Sequence, residues 1–127
     1  MTKAIGRPRS PSVPTIEFAG LEIAPALRTR VIQRIRRALV GVQTSPVHVH
    51  VTFSDINGPK GGLDIRCAID VTIPQTPPLH VEEAAERDVT AFDRCTAMIS
   101  RQIAGQLRRR QESGRRPKKY YAARRLQ

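Results

Sequence analysis

Residues 47–73 read VHVHVTFSDINGPKGGLDIRCAIDVTI. In the first run Val47, Val49, Val51 and Phe53 fall on one side, and His48, His50, Thr52 and Ser54 on the other. In the second, Ile65, Cys67, Ile69, Val71 and Ile73 alternate with Asp64, Arg66, Ala68, Asp70 and Thr72. A period of two is that of a β-strand, and a clean apolar–polar alternation predicts an antiparallel sheet with one face covered and one wet. Between the runs, Ser54 to Asp64 holds three glycines, a proline and Lys60. A phosphate-cradling loop needs G-x-x-x-x-G-K-[ST] between a strand and a helix. Here no Ser or Thr follows Lys60, and a second strand follows where a helix is required. The stretch therefore predicts a wide hairpin whose glycines supply positive φ. Lys60, at its tip, can still touch a phosphate backbone.

Outward from the hairpin, TIEFAG predicts a short strand, Thr15 to Phe18, closed by Gly20. EIAPALRTRVIQRIRRALVG predicts a helix with Pro25 in its first turn and Gly41 just past its end. Leu27, Val31, Ile35, Ala38 and Leu39 form its buried stripe. QTPP is a turn and LHVEE a short fourth strand. A long helix is expected from about Ala84 to Gln111, with core positions Val89, Phe92, Thr96, Ile99, Ile103 and Leu107, broken by Ser113-Gly114. The fold class is α+β, ordered β-α-β-β-β-α, a four-stranded sheet with two helices on one face. Residues 1–13 are expected as a disordered basic arm, 14–112 as the folded domain and 113–127 as a basic tail.

The chain has 127 residues, enough for one domain of ordinary size, with a formal charge of +11. Eighteen of its 22 basic residues are Arg. Guanidinium pairs bidentately with phosphate and stacks on bases, so the bias favours nucleic acid. A membrane surface is the competing anion, but no apolar stretch is long enough to span a bilayer and Trp is absent. The N-terminus lacks the apolar segment of a secretory signal; its basic, acid-free character is shared with transit peptides, and a Pro-containing arm is the simpler reading. Cys67 and Cys95 lack CxxC spacing and read as buried thiols of a reducing cytosol.

Candidate chemistry is thin. His48, His50 and His80 can be imagined as zinc ligands, but no further ligand stands at recognisable spacing and solvent-facing histidines account for them. Asp55, Asp64 and Asp70 are explained by turn chemistry and strand-face charge. No nucleophile motif or redox pair occurs. Enzymatic activity, a cofactor, a metal and a small-molecule substrate are not expected.

The arginines carry the signal. Arg87, Arg94, Arg101 and Arg108 recur every seven residues. At about 20° of drift per step they form one outward ridge, roughly 31 Å long. Ala91, Ala97, Met98, Ala104 and Gly105 are expected on or beside it, small enough for a bulky backbone to approach. Glu82, Glu83, Glu86, Asp88 and Asp93 gather at the N-terminal end, whereas Glu112 is the one acid after Ser100. Arg30, Arg34 and Arg37 form a second stripe, and side by side the two predict a basic groove. With few acids at helical spacing to neutralise them, a merely solvated face is the weaker reading. Arg109, Arg110, Lys118 and Lys119 extend the positive charge, and Tyr120 and Tyr121 can stack on bases or lie in a plain tail. Backbone contacts of this kind suit folded RNA better than base-reading of DNA.

Three blocks, IEFAGLEIAPALR, VTFSDINGPKGGLDIRC and AFDRCTAMISRQI, resemble the short ribosome hibernation-promoting factors, also called ribosome-associated inhibitors. The resemblance covers residues 15 to 110 and is most specific at Asn57-Gly58-Pro59 to Gly62 and at Ala91-Phe92-Asp93 to Ile103. It implies a fold similar to double-stranded RNA-binding domains. It also implies docking on the small ribosomal subunit and its ribosomal RNA, over the tRNA and mRNA path, in the cytoplasm. Basic positions of the two helices matching that role are Arg30, Arg34, Arg37, Arg94, Arg101 and Arg108. Ala104-Gly105-Gln106 departs from the family's Lys-rich continuation, and the second domain that lets long members pair ribosomes is missing, so dimerising ribosomes unaided is not expected; the chain itself is expected as a monomer. A general RNA chaperone or RNA–protein assembly factor is the alternative.

Overall fold

The structure, a computed structural model, describes residues 13–57 and 64–115, the last four by backbone alone. Its elements are β1 (Thr15–Gly20), α1 (Pro25–Ala38), β2 (His48–Asp55), β3 (Ile65–Thr72), β4 (Leu79–Ala85) and α2 (Asp88–Arg115). The expected α+β order and the four-stranded sheet are both present.

The sheet runs β1-β2-β3-β4. β2 pairs antiparallel with β3, and β3 with β4, but β1 pairs parallel with β2. The sheet is therefore mixed, not antiparallel throughout. Helix α1 carries the chain back between β1 and β2, and such a crossover brings the second strand in parallel. Residues 58–63, including Lys60 and the glycines of the hairpin, lie outside the described residues. Its stem is in place: Asp55 faces Ile65 across the antiparallel pair, and the Ile56 amide donates to the Asp64 carbonyl at 3.2 Å.

Alternation sets the layers. Val49, Val51, Phe53, Cys67, Ile69, Val71 and Val81 point to one face and are at most 3% exposed. Against them pack Leu27, Val31 and Ile35 of α1 and Phe92, Cys95, Ile99 and Ile103 of α2, in one core. The opposite sheet face is left to solvent.

Gly20 ends β1 at φ +87°. A Cβ there would lie 2.0 Å from the Phe53 carbonyl oxygen, which accepts a 2.8 Å hydrogen bond from the Leu21 amide. Only glycine combines that backbone with that approach.

Four boundaries differ from expectation. β1 runs past Phe18 to Gly20, paired in register with β2 to Phe53. β4 continues to Ala85, because Glu82 to Ala85 stay paired in register with Ala68 to Ile65. Consequently α2 begins at Asp88, where the Asp88 carboxylate accepts from the Val89 amide. At its other end α2 passes through Ser113-Gly114 to Arg115. One glycine costs a helix only about 1 kcal/mol, less than a run of good helix formers supplies. Finally, Ala91 is fully buried and Gly105 is buried too, so neither belongs to the outer face.

Candidate nucleic-acid interface

Helices α1 and α2 both descend from strands that run the same way, and they lie side by side in parallel. Two contacts set the alignment. Arg30 of α1 reaches Asp93 of α2, and the Gly41 backbone after α1 abuts Leu107. Helical spacing then places Arg34 and Arg37 on the same side of α1 as Arg30. On α2, the positions in line with Asp93 are Ala97, Ser100 and Ala104, of which Ala97 and Ala104 are exposed. The arginine side of α1 thus lies along a line of small side chains on α2, the arrangement expected of a groove between the helices.

The expected cations divide into groups. Arg37, Arg101, Arg108, Arg109 and Arg110 are exposed, and Arg34 is half-buried. None of these six is ion-paired with a described carboxylate. Arg94 is also exposed but donates from Nη1 to the Ala84 carbonyl at 3.0 Å, anchoring it against β4. Arg87 shares a cleft at the start of α2 with Asp64, Glu86, Thr90 and Arg94. Arg30 is spoken for: its Nη2 donates to both oxygens of Asp93 (3.1 and 3.3 Å) and its Nε to Oδ1 (3.3 Å). The expected uniform ridge is thus graded, with committed or acid-flanked cations at the N-terminal end and, beyond them, cations with no carboxylate partner among the described residues. Lys60, Lys118, Lys119, Tyr120 and Tyr121 lie outside the described residues.

Two cations were missed. Arg36 is exposed beside the apolar cleft of Val13, Leu39, Val40 and Val47. Arg28 stacks over the Phe18 ring at 4.4 Å, joining α1 to β1. Their helical positions were legible; their partners were not. Asp93, which the sequence groups with the acids near the start of α2, is in addition the anchor of Arg30.

The open sheet face has a different character. Glu17, His50, Asp70 and His80 stand opposite one another across four strands. His50 lies 3.5 Å from Glu17. His80 sits between two carboxylates, Asp70 at Nδ1 and Glu82 at Nε2 (2.9 Å). Those hydrogen bonds, Asp70's first and then Glu82's, raise the His80 pKa above its ordinary value. Glu82 also meets Arg66 at 3.8 Å. Among the described residues no three His, Cys, Asp or Glu side chains form a metal-holding group. In the core, the Cys95 thiol donates to the Cys67 carbonyl at 2.8 Å. The Cys67 thiol is pushed up by its hydrogen bond with Cys95 and by burial, so it stays protonated. No helix among the described residues is long and apolar enough to cross a membrane.

Against this geometry, comparison with known proteins is informative. The family described as sigma 54 modulation protein / S30EA ribosomal protein matches residues 15–111. The N-terminal domain of Protein Y from Thermus thermophilus superposes with a TM-score of 0.57 at 26% identity, over 70% of this chain and 94% of that one. A ribosomal subunit interface protein from Coxiella burnetii shares the fold, with a TM-score of 0.56 at 16% identity, over 72% and 94% of the respective chains. No curated protein matches the sequence.

Proposed function

The chain belongs to the sigma 54 modulation protein / S30EA ribosomal protein family, and from that premise we propose that it is a ribosome-silencing factor whose helix groove seats on small-subunit ribosomal RNA. Bound there, it blocks the path of tRNA and mRNA by occupying space, without a chemical step, in the cytoplasm where ribosomes work. The observation that carries this reading is the run of guanidiniums without a carboxylate partner among the described residues, Arg34, Arg37, Arg101, Arg108, Arg109 and Arg110, beside the exposed small residues Ala97 and Ala104. Unpaired arginines take phosphate oxygens as forked, charge-assisted partners. A floor without bulk lets a sugar–phosphate backbone come down between the helices. Residues 101 to 110 span roughly 13 Å of helix, room for several successive phosphates.

Sedimentation of a cell lysate from stationary phase through a sucrose gradient tests the proposal. The protein should travel with small subunits and whole ribosomes. Recovery at the top of the gradient rules the reading out. A second measurement compares affinity for small subunits with affinity for random duplex RNA at physiological salt. Counterion release alone serves any duplex, so a marked preference for the subunit is expected, and equal affinities favour a general RNA chaperone.

A further inference from the structure

The Arg30–Asp93 pair stands at one end of the groove, and its position has a consequence for what the groove accepts. It is the one ion pair between the two helices among the described residues. Its partners are 63 residues apart in sequence, and each side chain is 41% exposed. The carboxylate is therefore within reach of solvent and of any ligand in the groove. It grips the guanidinium in the forked arrangement that a phosphate would use. Past the pair, toward the C-terminal ends of both helices, Arg34, Arg37, Arg101 and Arg108 have no described carboxylate partner. On its other side the free-cation run gives way to mixed charge, with Asp88 in the first turn of α2 and Asp64, Glu86, Arg87 and Arg94 lining the neighbouring cleft, where Arg94 is held by the Ala84 carbonyl.

We infer that Asp93 is a specificity-determining residue of the groove: it withholds Arg30 from phosphate and ends the anion-accepting track, so that RNA seats from Arg34 and Arg101 onward. The inference rests on the groove being the RNA site. A groove cationic along its whole length would bind any duplex in many registers, because backbone charge carries no sequence information. A carboxylate at one end removes the registers that run past it. Specificity obtained by repelling the wrong placement is a recognised counterpart to attraction for the right one. The pair contributes no net charge, so the groove loses one cation and gains a boundary.

The experiment is a salt titration of binding to random-sequence duplex RNA and to small subunits, with circular dichroism melts alongside. Four proteins are compared: wild type, Asp93→Asn, Arg30→Gln and the double variant. Releasing Arg30 in Asp93→Asn should add one phosphate contact and steepen the slope of log affinity against log salt by about 0.7 to 0.9. One such contact is worth about threefold in duplex affinity between roughly 50 and 200 mM salt. Subunit affinity should rise less, so the preference for subunits falls. Arg30→Gln leaves an uncompensated carboxylate and should weaken duplex binding. The double variant should return to the wild-type slope.

A purely structural tie between the helices predicts lower melting temperatures for both single variants with unchanged slopes, and that result overturns the inference. So does a double variant as weak as Arg30→Gln alone, because Arg30 would then be touching phosphate directly. Should Asp93→Asn fail to fold, the comparison of Arg30→Gln with wild type still decides, since unchanged duplex binding overturns the inference. A wild type that binds neither duplex nor subunit brings down the groove reading itself, and the inference with it. A wild type that binds, matched by Asp93→Asn at every salt concentration, removes the inference alone.

Discussion

The helix face and the open sheet face carry charge in opposite ways. On the sheet, every described ion pair is local to the face: Glu17 with His50, Asp70 and Glu82 with His80, Glu82 with Arg66. Strand pairing places Glu17 across from His50 and Asp70 across from His80, with Glu82 beside His80 and diagonal to Arg66, so these groups find partners within the molecule. On the helices, past Arg30, the guanidiniums of Arg37, Arg101, Arg108, Arg109 and Arg110 face solvent without described carboxylates. Among the described residues, cations without a carboxylate partner are therefore a property of the helix face and not of the sheet face. A self-neutralised face is indifferent to a polyanion, whereas an unpaired one releases counterions when a polyanion arrives.

The strongest way to break this contrast is to reverse the free cations. Arg37, Arg101 and Arg108 changed together to Glu should lower affinity for small subunits by about a hundredfold or more at moderate salt, as three phosphate contacts become repulsions. The melting temperature should hardly move, because all three side chains are exposed. A large loss of helicity in that variant would mean that these residues support the fold.

A change in the scaffold common to both faces should act differently. Gly20→Ala forces a Cβ against the Phe53 carbonyl at positive φ. It should cost about 2 kcal/mol or more of stability by urea denaturation, strain at such positions alone being about 1–3 kcal/mol. Binding by the fraction that remains folded should be unaltered.

The imidazole on the sheet face offers a smaller effect with a definite sign. Because the folded-state pKa of His80 is raised above its ordinary value of 6.5, its contribution is fully present below pH 6.5 and fades as pH rises through the raised value. His80→Gln should therefore lower stability at pH 6 and converge on wild type in mildly alkaline solution. The group is 48% exposed, so the effect should stay below about 1 kcal/mol. A destabilisation that grows with pH would contradict the arrangement of Asp70 and Glu82 around the ring.

The smallest expected effect sharpens the contrast most. Neutralising the sheet face with Glu17→Gln and Asp70→Asn adds as much net positive charge as two new lysines. If the location of charge governs binding, subunit affinity should change by less than about threefold, because these sites make no phosphate contact. A gain matching that of freed groove cations would show that total charge, not its placement, drives association.

Much of this was readable along the chain. The alternation from Val47 to Ile73 identified two strands and the face of each side chain, and the two strands pair antiparallel as expected, while the glycines between them lie outside the described residues. The recurrence of Leu27, Val31 and Ile35 identified the buried side of α1. Errors fell where a tertiary partner overrode a local signal. Ala84 and Ala85 look helical, but pairing with Arg66 and Ile65 keeps them in the sheet. Ala91 looks like part of a small outer surface, but the fold buries it completely.

Periods of 2 and 3.6 residues are properties of the backbone, and they determined the elements and most of their faces before any folding was considered, while the excess of arginine supplied the expectation of a polyanionic partner. What a given charge meets is a property of space. Tertiary structure alone decided that β1 lies parallel to β2, that His80 is held between Asp70 and Glu82, and that Arg30 meets Asp93 while Arg34 and Arg37 do not. A Coulomb contact depends on a few ångströms of separation, and 63 residues of intervening chain leave no local trace of which two groups will be that close.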